Sequence, residues 1–236
     1  MTKILHKADS RGLADHGWLL SRHTFSFANY HNPERMGFGL LRVINDDIVQ
    51  PGVGFDAHPH QNMEIISIPL AGALRHQDSM GDKQVISAGD VQVMSAGSGL
   101  VHSEYNDSSS EEVNFLQIWI KPKEKDIPPR YGQQRFHRSE RRNRFQILAS
   151  PEKDSAALWI NQDAWLSMAS LEAGASLSYS PHQPGTGQYF FVISGQLTIA
   201  GQALEPRDGL GLVAEGDVPI DATGAAEVLC IEVAMK

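Results

Sequence analysis

Cysteine is almost missing from this chain: among 236 residues only Cys230 carries a thiol. One thiol closes no internal disulfide and builds no thiolate zinc site, so disulfide frameworks and zinc ribbons drop out. Cys230 sits in the apolar run 228–233 and reads as a core residue. Long apolar runs are missing as well. Residues Met1 to Ser10 carry charges and no signal-like stretch, and nothing later approaches membrane-spanning length, so a cytoplasmic location without membrane association is expected. A basic surplus is also lacking. Lys and Arg number 20 against 28 Asp and Glu, a net charge of -8 that argues against direct nucleic-acid binding. One local exception, the five arginines and His137 within Arg135 to Arg144, reads as a solvated linker or turn region rather than an anion patch. Gly97-Ser-Gly99 lacks the lysine and helix of a phosphate loop, and no G-x-S-x-G elbow exists, which leaves serine hydrolase chemistry without support.

What the chain does contain is short β-type runs bounded by Gly, Pro, Asp and Ser. They include 39–44, 64–70, 84–86, 91–94, 113–120, 145–149, 189–193, 197–199 and 228–233. With 41% hydrophobic residues the composition supports an ordinary core, and the rhythm predicts an all-β sandwich or barrel with little helix. Lys121 to Arg130, with three prolines and alternating charges, reads as a connector between halves. A weak internal repeat supports two equivalent halves: Pro69-Leu-Ala-Gly72 lies over Val192-Ile-Ser-Gly195, and Ala88 to Gly97 over Arg207 to Gly216. The expected division is an N-terminal barrel over 1–125, a linker over 126–144 and a C-terminal barrel over 145–236.

Two short pairs carry the chemistry. His58-Pro-His60 and His102-Ser-Glu104 each place two metal-binding groups at i and i+2, which share one side of an extended strand. Two facing strands of this kind would aim three imidazoles and a carboxylate at one point, an open N/O site for a divalent transition metal. Glu64 competes with Glu104 for the carboxylate position. Parity places Glu104 beside His102, whereas Glu64 lies beyond Gln61-Asn62-Met63, where a turn can break the alternation. His23, among Phe25 and Phe27, reads as a packed or hydrogen-bonded histidine; His76 reads as a strand-end residue before a turn. Laid over the second half, His58, His60, His102 and Glu104 fall on Pro181, Gln183, Asp221 and Thr223, so that half has the frame without the ligands. His182 lies near a lost ligand position but has no partner at i+2.

The glycine spacing around these pairs resembles the two cupin motifs: Gly52, His58, His60, Glu64 and Gly72 match the first, and Gly89, Gly97, His102 and Asn106 the second, with Ser95 where proline is usual. Beyond that pattern the chain resembles the pirin family, and within it the bacterial pirin-like quercetinases. The resemblance is carried by Gly17-Trp18, Ser21-Arg-His-Thr-Phe-Ser-Phe27, Leu41-Arg-Val-Ile-Asn45 and His58-Pro-His-Gln-Asn-Met-Glu-Ile65. It continues through His76-Gln-Asp-Ser79, Met94 to Asn106, Gln117-Ile-Trp-Ile120 and Pro129-Arg-Tyr131. It implies a bicupin, two barrels packed face to face, with one metal in the first held by His58, His60, His102 and Glu104. It also implies a dioxygenase that cleaves a flavonol such as quercetin with O2, releasing carbon monoxide, with Glu104 as the base for the substrate hydroxyl. Iron is the expected ion, with manganese, cobalt, nickel, copper and zinc compatible with the donors. The alternative is a metal- or redox-sensing regulator acting through a protein partner. The expected state is a monomer that meets a small phenolic substrate and O2.

Overall fold

The computed structural model describes residues 3–236, so the first two residues of the charged N-terminal stretch lie outside it. Strands dominate, and the only helical elements among the described residues are two 3-10 turns, Ala8–Ser10 and Arg138–Arg141. They build four sheets, two of seven strands and two of four. In the first half a seven-stranded sheet runs Arg130–Arg135, Asp90–Ser95, Glu64–Ala71, Val113–Ile120, Leu41–Val49, Leu19–His23, Gly12–Asp15. Facing it, a four-stranded sheet runs Gly54–His60, Leu100–Asn106, Ala73–Asp78, Lys83–Ser87. In the second half the order Gly209–Leu212, Thr186–Ser194, Ala226–Ala234, Ala164–Leu171 repeats the centre of the large sheet. Ser176–Tyr179, Val218–Ala222, Leu197–Ile199, Gln202–Leu204 repeats the small one. These are two cupin-type barrels of shared topology.

The repeat seen in the sequence marks equivalent turns. Gly72 follows Glu64–Ala71 and Gly195 follows Thr186–Ser194, both at φ +74°, and a Cβ on either would strike the backbone at the start of the neighbouring strand, at Glu112 O (2.9 Å) and Ala225 O (2.3 Å) respectively. Only glycine tolerates both constraints.

The central strands are buried on both faces, which explains their nearly continuous apolar runs. Along Val113–Ile120, Leu116, Ile118 and Ile120 join a core shared with the second half, while Phe115 and Gln117 point into the first barrel. Along Ala226–Ala234, Leu229, Ile231 and Val233 enter that shared core and Val228 and Cys230 fill the second barrel. The two large sheets therefore pack against each other. Cys230 is fully buried, and burial pushes its thiol well above the ordinary range.

Two edge strands pair across the expected chain division. Lys3–His6 pairs with Gly209–Leu212 and so belongs to the second half's sheet, while Arg130–Arg135, inside the expected linker, pairs with Asp90–Ser95. Both are edge strands, and long-range pairing decides their place. The connector Lys121 to Arg130 is also bound down: Asn161 receives Lys123 N–H on its carbonyl (2.7 Å) and donates its side-chain amide to Glu124 O (2.8 Å). The arginine run is paired rather than free. Arg135 meets Asp90 (3.2 Å), Arg138 and Arg141 meet Glu227 (3.3 and 3.4 Å), and Arg142 meets Glu172.

His6 ties the crossing strand into the seam through a contact with the Tyr189 hydroxyl at Nδ1 (2.8 Å). Burial first, then the Arg35 charge, lowers it from 6.5 to about 4. Below pH 6.5 the unfolded chain binds a proton that the folded one refuses, so this contribution to stability is complete above pH 6.5 and is lost as the pH falls toward 4. Urea unfolding at pH 7.5 and pH 5.0 should show a smaller loss of stability for His6→Gln than for the parent.

Candidate metal centre

The small sheet of the first barrel assembles the site. Gly54–His60 is its edge strand, where Pro59 costs no ladder hydrogen bond in the sheet interior, and it pairs antiparallel with Leu100–Asn106. His102 stands opposite His58 and Leu100 opposite His60. The register slips between His102 and Glu104, which faces Phe55, so Gly54–His60 carries a bulge beside the site. On the other side, Ala73–Asp78 sets His76 opposite Glu104 and Asp78 opposite His102.

His58, His60 and His102 come together as expected. Their ring centroids lie 4.4 to 4.9 Å apart, and one donor nitrogen from each falls within a 4.8 Å group. Burial and neighbouring imidazoles lower His60 to about 4 and His102 to about 3, so both are neutral at pH 7, the form that ligates. His58 Nδ1 donates to Asp56 O (2.7 Å), which frees its Nε2 lone pair. His102 Nε2 is buried without any hydrogen-bond partner. Neutral rings, convergent lone pairs and this orphaned nitrogen fit a bound divalent ion.

Glu104 stands slightly apart. It joins His76 and His102 in a second group, also within 4.8 Å, rather than the three-histidine group. Its carboxylate accepts from Ser67 Oγ (3.2 Å) and Gln117 Nε2 (2.9 Å). Each oxygen keeps a further lone pair, so these bonds hold the carboxylate without preventing ligation. Glu64 is in neither group. It is fully buried, accepts from Ser95 Oγ (2.8 Å) and from Asn161 N–H of the second half (3.1 Å), and is pushed up in pKa chiefly by that burial.

A cavity of about 630 Å³ opens onto His58, His60 and Glu104. Trp18, Phe27, Phe55 and Trp119 line it, with Trp119 edge-on to His60 at 5.0 Å. The sequence reading missed its polar wall. Ser21 hydrogen-bonds Asp47, and His23 Nδ1 lies 2.9 Å from Asn45 Oδ1. Burial pushes Asp47 up to about 7 against the opposing Ser21 bond, with the Asp46 and Glu104 charges adding to the rise. The alternation Ser21-x-His23 and Asn45-x-Asp47 was a usable signal.

The second barrel has no such site among the described residues. At its mouth the buried Glu232 accepts bonds from Tyr179 Oη (2.9 Å), Thr186 Oγ1 (2.6 Å) and the His182 and Gln183 amides (2.9 and 3.1 Å). Burial alone would raise its pKa, but the bonds from His182, Thr186 and Tyr179 bring it down to about 2.

Fold and site together define a bicupin whose first barrel carries the candidate metal centre. The comparisons give the family: residues 6–120 match the model described as Pirin, and residues 147–233 the Quercetinase C-terminal cupin domain. The chain is 44% identical over 230 residues to the quercetin 2,3-dioxygenase of Escherichia coli strain K12, covering 97% of each. It is 43% identical over 227 residues to a pirin-like protein of Caulobacter vibrioides, covering 96% of this chain and 97% of that one. Among solved structures it superposes on YhhW from Escherichia coli with a TM-score of 0.94, at 43% identity over 98% of this chain and 97% of that one. A nickel(II) complex of bacterial pirin YhhW gives 0.93, at 42% identity over 99% of each. The chain belongs to the pirin family. Among the described residues no helix is long and apolar enough to cross a membrane.

The two glutamates separate by experiment. Elemental analysis should find Glu104→Gln depleted of metal and Glu64→Gln still loaded, the latter with a lowered unfolding midpoint from the weakened seam.

Proposed function

We propose that the chain is a dioxygenase that cleaves a flavonol of the quercetin type, using one divalent metal held by His58, His60, His102 and Glu104. We assign iron in the cell on availability, since imidazole and carboxylate donors discriminate poorly among these metals. The observation that carries the reading is the placement of neutral, convergent histidines at an aromatic-walled cavity large enough for a three-ring phenol. Relatives named quercetin 2,3-dioxygenase support the substrate class.

When bound, the ion supplies Lewis acidity to the substrate's 3-hydroxyl and a position for dioxygen beside it. The chain's own groups do the rest. Glu104 lines the cavity and accepts the hydroxyl proton, while Ser67 and Gln117 hold its carboxylate in place. Trp119 and Phe55 present flat apolar surface to the aromatic rings and keep water from the reacting centre. A regulator that only sensed metal would need no cavity of this size at its ligands, which favours catalysis over the partner-binding alternative.

Oxygen-electrode measurements on metal-loaded protein with quercetin should show O2 uptake matched by carbon monoxide release. Glu104→Gln should lower the rate by about 100-fold or more, the range for loss of a positioned base together with a ligand. Loaded protein that consumes no O2 with any flavonol would overturn the substrate class.

A further inference from the structure

The first barrel contains a third i, i+2 pair that the ligand set does not use: His76-Gln-Asp78, on the strand beside His102 and Glu104. We propose that His76 is a positioning residue that fixes His102 as its Nδ1–H tautomer and so aims the His102 Nε2 lone pair at the metal position. The assignment rests on the metal-site reading above.

The direction of the chain follows from its fixed end. Asp78 Oδ1 accepts the amides of Met80 (2.9 Å) and Asp82 (3.1 Å), so the turn after the strand anchors this carboxylate. Its Oδ2 lies 3.1 Å from His76 Nε2. With the Asp78 carboxylate oxygen as acceptor, His76 donates from Nε2 and leaves its Nδ1 lone pair facing inward. Two groups face that lone pair: the Gln92 side-chain amide nitrogen at 3.2 Å and His102 Nδ1 at 3.5 Å. In the proposed arrangement His102 shares the His76 lone pair with the nearer Gln92 amide and donates from Nδ1 across the 3.5 Å contact. Its Nε2 is left unprotonated, and this is the buried atom without a partner.

The environment holds the chain in one arrangement. His76 and the Asp78 side chain are fully buried, and the Tyr131 ring packs 4.9 Å from His76. Carboxylate–histidine partners behind a ligand raise its basicity and fix its ring, and losing them costs roughly 10–100-fold in metal affinity.

Long-range 1H–15N NMR of the metal-free protein reads the tautomers directly. The expected result is His102 protonated on Nδ1 and His76 on Nε2; His102 protonated on Nε2 would overturn the assignment. Nickel(II) competition against a chelator supplies the second readout. His76→Leu should weaken binding by roughly 10–100-fold, and His76→Gln, whose side-chain oxygen can accept from His102 Nδ1, should recover most of it. Folded His76→Leu with parental affinity, or His76→Gln as weak as His76→Leu, overturns the proposal. A parent protein that binds no nickel overturns the metal reading whatever the tautomer. Nickel bound by a parent whose free form has the wrong tautomer overturns the positioning role alone.

Discussion

A single buried nitrogen, His102 Nε2, sets the terms for the first barrel. A buried polar atom without a partner costs about 1–3 kcal/mol, and nothing in the protein meets this one. Its lone pair is tolerable because two other imidazoles, His58 and His60, converge on the same point, which makes the location attractive to a cation and to little else. Around it the barrel interior cannot be one apolar mass. Its core is split into a cluster around Leu74, Ile86 and Phe115 and another around Ile65, Met94 and Leu100. Between them runs a polar layer in which His76, Gln92, Ser67, Gln117 and Glu104 bond to one another. Such layers hold one geometry when their members are paired, and the cost of an unmade bond is what enforces it.

The second barrel shows the same frame without that demand. Its interior is one continuous apolar cluster, with Phe190, Cys230 and Tyr179 where the first barrel has polar groups, and the buried Glu232 carboxylate is satisfied by the protein itself. A carboxylate with that many donors has no reason to recruit an ion. The role left to this half is mechanical. Its large sheet backs the large sheet of the first half through the shared core, and so gives the strands that carry Ser67, Gln117 and Trp119 a rigid support.

Much of this was legible in the chain, and the failures share a cause. Every apolar run used to forecast a strand contributes to one, and His58, His60 and His102 were visible because strand periodicity puts alternate residues on one face. The repeat was legible through Gly72 and Gly195, where backbone crowding leaves no alternative. What escaped depended on partners far away in sequence. Lys3–His6 has only the short apolar pair Ile4-Leu5 and owes its place to residues 209–212. Arg130–Arg135 looks like linker because it is a polar edge strand. His76 looked like a strand end because its importance lies in His102, twenty-six residues on, and in the Asp78 carboxylate that fixes its proton. The polar wall of the cavity was missed for a similar reason: Ser21 and Asp47 meet only when their two strands pair.

The displaced motif glutamate shows how the halves are joined through the site. Asn62 takes a left-handed conformation (φ +51°) just after His60, and the chain leaves the small sheet there to enter the large one at Glu64. That turn carries the Glu64 carboxylate toward Ser95 and the seam, where its oxygen accepts the Asn161 amide of the second half. Asn62 is itself bonded to Asp126 of the connector through both its side chain and the Asp126 amide. The segment immediately after the second histidine ligand is thus clamped by the connector and by the opposite half. A free carboxylate at position 64 could have competed for the ion; tied into the seam, it instead fixes the end of the strand from which His60 projects. The fourth donor proposed for the ion, Glu104, lies instead on the neighbouring strand at i+2 from His102, and the precision of the site depends on the junction between barrels as well as on the barrel that contains it.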